Sequence, residues 1–277
     1  LSTGPTRVCP VRCCPIRRPM TVPLICTDSA PARAAEADAL AGRHGLLQLA
    51  LGAPRPLHWL RLDGERLALV EDGPGAPGPV AVDWVGGALG HRLRHGGGRG
   101  QPLARAVGLK AGACPYVADL TAGLGRDGCV LAALGCRVTL VERSPAVAAL
   151  LDDGLARAGR DAGIGAWVRE RVRLVPADGA AWLAGLAPEA RPDVIYLDPM
   201  YPHRDQSARV KKDMRAFRAV VGDDADADAL LAPALAAAVR RVVVKRPKSA
   251  PALAGRPPSH CIASPNTRYD VYVLAGR

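Results

Sequence analysis

Asp198-Pro199-Met200-Tyr201-Pro202 follows directly on the apolar run Val194-Ile195-Tyr196-Leu197. An acid, a proline and an aromatic at the end of a buried strand suit the handling of a planar amine. The Asp198 carboxylate and the Pro199 carbonyl can accept hydrogen bonds from an exocyclic amino group, while Tyr201 stacks on the base that carries it. Such stacking contributes ~1–3 kcal/mol per base. The amine's lone pair is delocalised into the ring, so the help it needs is positioning and electrostatic preorganisation rather than a strong base. A base in a duplex must be flipped out to reach such a pocket. A rigid turn after a strand is the structural alternative.

A second signal lies upstream, in Asp119-Leu120-Thr121-Ala122-Gly123-Leu124-Gly125-Arg126-Asp127, again after an apolar stretch. Gly123, Gly125 and Gly128 match G-x-G-x-x-G, the dinucleotide fingerprint. In that fingerprint the first glycine stands at the strand end and the pyrophosphate rests on the helix N-terminus. Here Asp119 ends the strand, and a carboxylate there repels a pyrophosphate but can hold an ammonium. The pattern therefore favours S-adenosylmethionine, which has an α-ammonium and no phosphate, over a nicotinamide dinucleotide. Glu142 ends the next strand, where a carboxylate can accept both ribose hydroxyls, and Asp178 after the third can accept from the adenine amine. Each acid could instead cap a helix. Arg126 and Asp127 open the first helix and either touch the methionine end of the cofactor or cap the helix; Arg143 can lie along the adenine edge.

Basic residues cluster around the motif. Arg204, Arg209, Lys211, Lys212, Arg215 and Arg218 follow it, and Arg240, Arg241, Lys245, Arg246 and Lys248 flank the fifth strand. Placed at the pocket mouth they can hold phosphates; a solvated charged face is the alternative for any one of them. The formal charge of +11 and pI ≈ 9.7 agree with an anionic partner, nucleic acid first. Arginine far outnumbers lysine, so part of the charge can reflect a GC-rich genome.

Strand and helix alternate from residue 112 onward. Strands are expected at 116–120, 137–142, 172–175, 194–197 and 241–245, with a further pair near Cys261 and at 269–274. Helices are expected at 127–134, 145–158, 179–186 and 226–239. This predicts an α/β fold with a doubly wound, mainly parallel sheet, whose ligands bind beyond the carboxyl ends of the strands. Residues 20–88 read as a small N-terminal α/β domain, with a helix at 35–44, strands at 46–51, 57–62, 66–70 and 80–84, and a hairpin signal at Asp63-Gly64. Residues 89–111 form a basic, glycine-rich connector, either a plain linker or a loop that contacts phosphate or cofactor. Residues 1–19, ahead of the first methionine, read as a spurious extension without fixed structure.

Cys114, Cys129, Cys136 and Cys261 lie in apolar segments and are expected as small buried hydrophobes in a reducing, cytoplasmic compartment. No paired Cys-x-x-Cys spacing points to zinc, and no apolar stretch is long enough to span a bilayer. Neither a metal nor a membrane partner is expected.

The segments 91–100 (HRLRHGGGRG), 121–127 (TAGLGRD), 150–158 (LLDDGLARA), 196–202 (YLDPMYP), 210–214 (VKKDM) and 242–247 (VVVKRP) together resemble the ribosomal RNA small subunit methyltransferase J family. The resemblance runs from about residue 80 to near the C-terminus. It implies a Rossmann-like class I methyltransferase domain of seven strands at 112–277. It also implies S-adenosylmethionine as methyl donor and N2 of a guanosine in 16S rRNA, free or in the small ribosomal subunit, as acceptor. By motif position the cofactor contacts are Arg126-Asp127, Glu142-Arg143, Asp178-Gly179 and Asp198. Small hydroxyl residues are expected where this chain has Asp178-Gly179. The competing readings are a DNA amino-methyltransferase, a non-catalytic RNA-binding Rossmann-like protein and, last, a dehydrogenase.

Overall fold

The computed structural model describes residues 21–86, 89–90, 92–93, 98–110, 112–200, 212–221 and 226–274, with side chains in the helix at 212–221 described from Phe217 onward. Residues 1–19, Tyr201, Arg204, Arg209 and Lys211 lie outside the described residues.

The strands form two sheets. Strands β1 (Leu24–Cys26), β2 (Gln48–Leu49), β3 (His58–Leu62) and β4 (Leu67–Glu71) make a four-stranded sheet in the order β2-β1-β3-β4. Helix α1 (Pro31–His44) packs on β1 and buries Ala37 and Leu40. The β3–β4 pair is the antiparallel hairpin that Asp63-Gly64 foretold, with Asp63 Oδ1 accepting from the backbone of Glu65 and Arg66. The expected strand at 80–84 is instead one bridge, Leu69 to Val80, followed by an extended segment. Its Val82 and Trp84 point into the apolar core that joins both sheets, and packing rather than pairing holds it.

The larger sheet contains β5 (Tyr116–Asp119), β6 (Arg137–Glu142), β7 (Val172–Pro176), β8 (Val194–Leu197), β9 (Arg241–Pro247), β10 (His260–Ala263) and β11 (Thr267–Val273). Their order is β10-β11-β9-β8-β5-β6-β7, parallel except for the pairings of β11 with β9 and β10. Around it run α2 (Pro102–Ala106), α3 (Arg126–Ala133), α4 (Pro145–Arg160), α5 (Gly165–Arg171), α6 (Gly179–Ala184), α7 (Lys212–Val221) and α8 (Ala227–Ala237). Strand order reverses between β5 and β8, so a crevice opens at their carboxyl ends. The central strands are apolar on both faces: all four residues of β8 are buried, as two-sided cover demands. Helices α2, α5 and α7 lie outside the expected set: α2 and α5 are short, and basic residues dominate the α7 segment. Among the described residues no helix is long and apolar enough to cross a membrane.

The cysteine expectation holds in part. Cys129 and Cys136 are fully buried, and burial pushes the Cys136 thiol up to about 12. Cys114, in the loop that leads into β5, and Cys261, on the edge strand β10, are exposed.

Candidate active site

A cavity of about 450 Å³ lies at the carboxyl ends of β5, β6, β7, β8 and β9. It gathers Asp119, Gly123, Arg126, Asp127, Glu142, Arg143, Asp178, Gly179, Asp198 and Pro199 in one wall-to-wall arrangement. Gly125 is the one predicted loop residue that does not line it. Residues from five elements, far apart in sequence, thus share one space.

The loop after β5 is shaped from beneath. Gly125, at the N-cap of α3, has φ +68, which suits glycine. A Cβ there would lie 2.7 Å from Trp84 Cζ2 and 2.9 Å from Leu151 Cδ2. Trp84, buried beneath the loop, donates from Nε1 to the Leu124 carbonyl at 3.4 Å. Gly128 lets α3 approach β6, since its Cβ would stand 2.5 Å from Leu140 Cδ2. These two glycines serve close packing and a left-handed turn, and neither is used to admit a pyrophosphate.

The acids are held in defined orientations. Glu142 accepts from the Gly123 N–H at 2.9 Å and the Ser144 N–H at 2.8 Å. Asp178 caps α6 by accepting from the Ala181 N–H at 2.9 Å while also facing the cavity, so the cap reading and the ligand reading are both available to one carboxylate. Asp119 is almost fully buried and accepts from the Thr121 N–H at 3.2 Å. Burial, reinforced by the nearby carboxylates of Asp127, Asp198 and Glu142, pushes its pKa well above the usual carboxylate range. Arg143 pairs with Asp226 at 2.7 and 2.9 Å on the cavity rim. Arg126 is exposed at the cavity mouth and has no ion-pair partner among the described residues.

The loop after β8 is tied to the loop after β5 by bonds the sequence did not announce. Thr121 Oγ1 accepts the Asp198 N–H at 2.7 Å, and the Leu120 N–H donates to the Tyr196 carbonyl at 3.1 Å. Asp127 neither caps α3 nor stands alone. Its Oδ2 accepts from Tyr196 Oη at 2.7 Å and Lys245 Nζ at 2.9 Å, and its Oδ1 accepts from Arg92 at 3.0 Å. Burial opposes its charge, yet Lys245, Tyr196 and Arg92 outweigh burial and hold its pKa below the usual range. Phe217, the chain's single phenylalanine, is buried in the cavity wall against Gly123. A lone aromatic among Lys211, Lys212, Arg215 and Arg218 carries no sequence signal for a cavity wall.

Four of the residues expected to grip phosphate stand differently in place. Lys245 turns inward and donates to Asp198 Oδ2 at 2.7 Å as well as to Asp127. Arg246, on the opposite face of β9, is buried at 2% exposure and donates to the Pro251 carbonyl at 2.7 and 3.1 Å. Strand alternation puts the two on opposite faces of β9, each engaged by a protein partner. Arg240 and Arg241 stand at the amino end of β9, away from the cavity mouth, where Arg241 donates to the Ala106 carbonyl. Lys212 opens α7, and its side chain, like Arg209, Lys211 and Tyr201, lies outside the described residues.

Comparison with known proteins agrees with this arrangement. Residues 43–274 match the family model described as putative SAM-dependent methyltransferase. The chain is 56% identical over 237 residues to the ribosomal RNA small subunit methyltransferase J of Thioalkalivibrio sulfidiphilus, covering 86% of this chain and 92% of that one. Against the protein of the same name from Aeromonas hydrophila it is 55% identical, covering 88% and 96%. A crystal structure of a SAM-dependent methyltransferase from Neisseria gonorrhoeae superposes with a TM-score of 0.73 at 34% identity, covering 93% of this chain and 97% of that one. With its sheet order, its cavity of acids and these relatives, the chain belongs to the ribosomal RNA small subunit methyltransferase J family of S-adenosylmethionine-dependent methyltransferases.

Proposed function

We propose that this chain moves the methyl group of S-adenosylmethionine to the exocyclic N2 of one guanosine in 16S rRNA, acting in the cytoplasm on the RNA or the small subunit. The observation that carries this reading is the shared cavity: carboxylates suited to a cationic nucleoside on β5, β6 and β7, and Asp198-Pro199 on the adjoining β8. The residues fit the cofactor. It carries a sulfonium, an ammonium, a ribose diol and an adenine amine, and the cavity has Asp119, Glu142 and Asp178 at successive strand ends. When bound it would supply an electrophilic methyl group, becoming a neutral thioether as the N–C bond forms, with the surplus amine proton passing to water. Asp119 can ionise against the ammonium, Glu142 is aimed by two backbone N–H groups, and Arg126 is available to the carboxylate. Asp198 and the Pro199 carbonyl accept the amine's hydrogens and turn its lone pair toward the donor. Tyr201 stacks on the flipped base, and Arg209, Lys211 and Lys212 meet the RNA backbone. We assign residues 20–88 as a small accessory domain, 89–111 as its connector and 112–277 as the methyltransferase domain.

The test is methyl transfer from labelled S-adenosylmethionine to 16S rRNA and to small subunits. Asp198→Ala is expected to remove transfer by a factor on the order of 100 or more while the protein stays folded. Full activity in that variant, or label on a nucleotide other than guanosine N2, would refute the assignment.

A further inference from the structure

Lys245, and Asp127, expected at the methionine end of the cofactor, are given no step in the proposed transfer, yet both line its cavity. Lys245 bridges Asp127 at 2.9 Å and Asp198 at 2.7 Å. Asp127 is held in turn by Tyr196 Oη at 2.7 Å and by Arg92 at 3.0 Å, and Arg92 also donates to Gln101 at 3.1 Å. A line of contacts therefore runs from the connector, through the first turn of α3, to the tip of β9 and onto the carboxylate after β8. Two cations alternate with two anions along it. The lysine side chain is 24% exposed and that of Asp127 11%, so water screens that contact little, while the Asp198 side chain, at 39%, is open to the cavity; the amine cannot swing outward without abandoning both acids.

We infer that Lys245 is a positioning residue for Asp198, fixing the rotamer and charge of that carboxylate, with Asp127 serving as the lysine's anchor. An aspartate at a strand end rotates freely about χ1 and χ2 unless something holds it. Here the backbone N–H of Asp198 is fixed by Thr121 and its Oδ2 by Lys245, so the carboxylate plane is set before substrate arrives. Because Lys245 stays protonated, it acts by geometry and charge and takes no proton itself. Burial disfavours that charge, but Asp198 and Asp127 outweigh it and raise the lysine's pKa. The same contacts compete with the alternative in which Lys245 grips an RNA phosphate.

This inference rests on the proposed role of Asp198, and the experiment separates the two. Steady-state methylation of 16S rRNA is measured for Lys245→Met, Lys245→Arg and the charge-neutral pair Lys245→Met/Asp127→Asn, alongside S-adenosylhomocysteine affinity and RNA binding against salt. Displacing a reacting group by about 1 Å costs on the order of 100-fold, so kcat should fall by roughly that factor in Lys245→Met and in the double variant. Lys245→Arg should recover part of it, with cofactor affinity and RNA affinity held within about threefold, the ordinary scatter of a neutral change. Should Lys245→Met fail to fold once both acids have lost the lysine, the double variant reads the same loss in a folded protein. An unchanged kcat in the folded variants overturns the inference. So does a raised KM with a salt slope shallower by about 0.9, the signature of one lost phosphate contact. If Asp198→Ala is fully active, the proposed function falls instead.

Discussion

Gly125→Ala is the sharpest probe of how the fold shapes the site. The backbone there has φ +68, and holding an L-residue in that region costs about 1–2 kcal/mol relative to glycine. The new methyl would stand 2.7 Å from Trp84 and 2.9 Å from Leu151, both buried to within 1%. Neither is a flexible tip, and overpacking of this kind costs about 1–3 kcal/mol. Together the two effects predict a loss near ~3 kcal/mol, or a fall in Tm of roughly 6–12 °C, for a chain of this size. Thermal unfolding with and without S-adenosylhomocysteine measures it, and the stabilisation by ligand should shrink because the 123–127 loop is displaced. Trp84→Leu provides the control. It costs stability on its own, but it leaves room for the new methyl, so the double variant should be less damaged than the sum by about 1 kcal/mol or more. Strictly additive losses, or a Gly125→Ala protein that melts with the wild type, would refute the packing account.

Other expectations follow from the charges. Asp119 has a folded pKa raised above its unfolded value, so its contribution to the ligand-free fold is fully present below the unfolded pKa and fades as pH rises through the folded one. A cation in the cavity favours the ionised form, so S-adenosylmethionine should bind more tightly as pH rises through that value, with proton release visible by calorimetry in buffers of differing ionisation enthalpy; a pH-independent affinity, or an Asp119→Asn protein with an unchanged profile, would contradict this. Asp127 runs the other way: its pKa is depressed, so the stability from its contacts with Lys245, Tyr196 and Arg92 is present above the unfolded value and lost as pH falls through the folded one. Acid unfolding of Asp127→Asn should therefore be shallower than that of the wild type, whatever its stability at neutral pH. Arg157→Ala should cost about 3 kcal/mol in urea unfolding, because Asp153, with a side chain only 3% exposed, loses its partner. Arg157 also holds the Val82 carbonyl, so the 80–84 segment should lose hydrogen-exchange protection in the same variant.

The parallel sheet, the order of its main strands and helices, and the acids at the strand ends were legible in the sequence, because short continuous apolar runs ended by glycine or aspartate are local signals. Asp119, Glu142, Asp178 and Asp198 could be nominated by position alone: each ends or follows a strand, and carboxyl ends converge in such a sheet. Whether they faced one another was not legible, since side-chain direction depends on register and on what packs below. Tertiary structure decided the cationic residues. VVVKRP reads as two surface bases, yet strand alternation sends Lys245 into the cavity and Arg246 to a buried carbonyl on the other face. Trp84 was a residue in an expected strand; only the packed structure makes it the support of the Gly125 turn, because a sequence separation of that length encodes no contact. The amino-acid order fixed which chemistry was available, and long-range packing selected which charges were free to perform it and which were used to hold the others still.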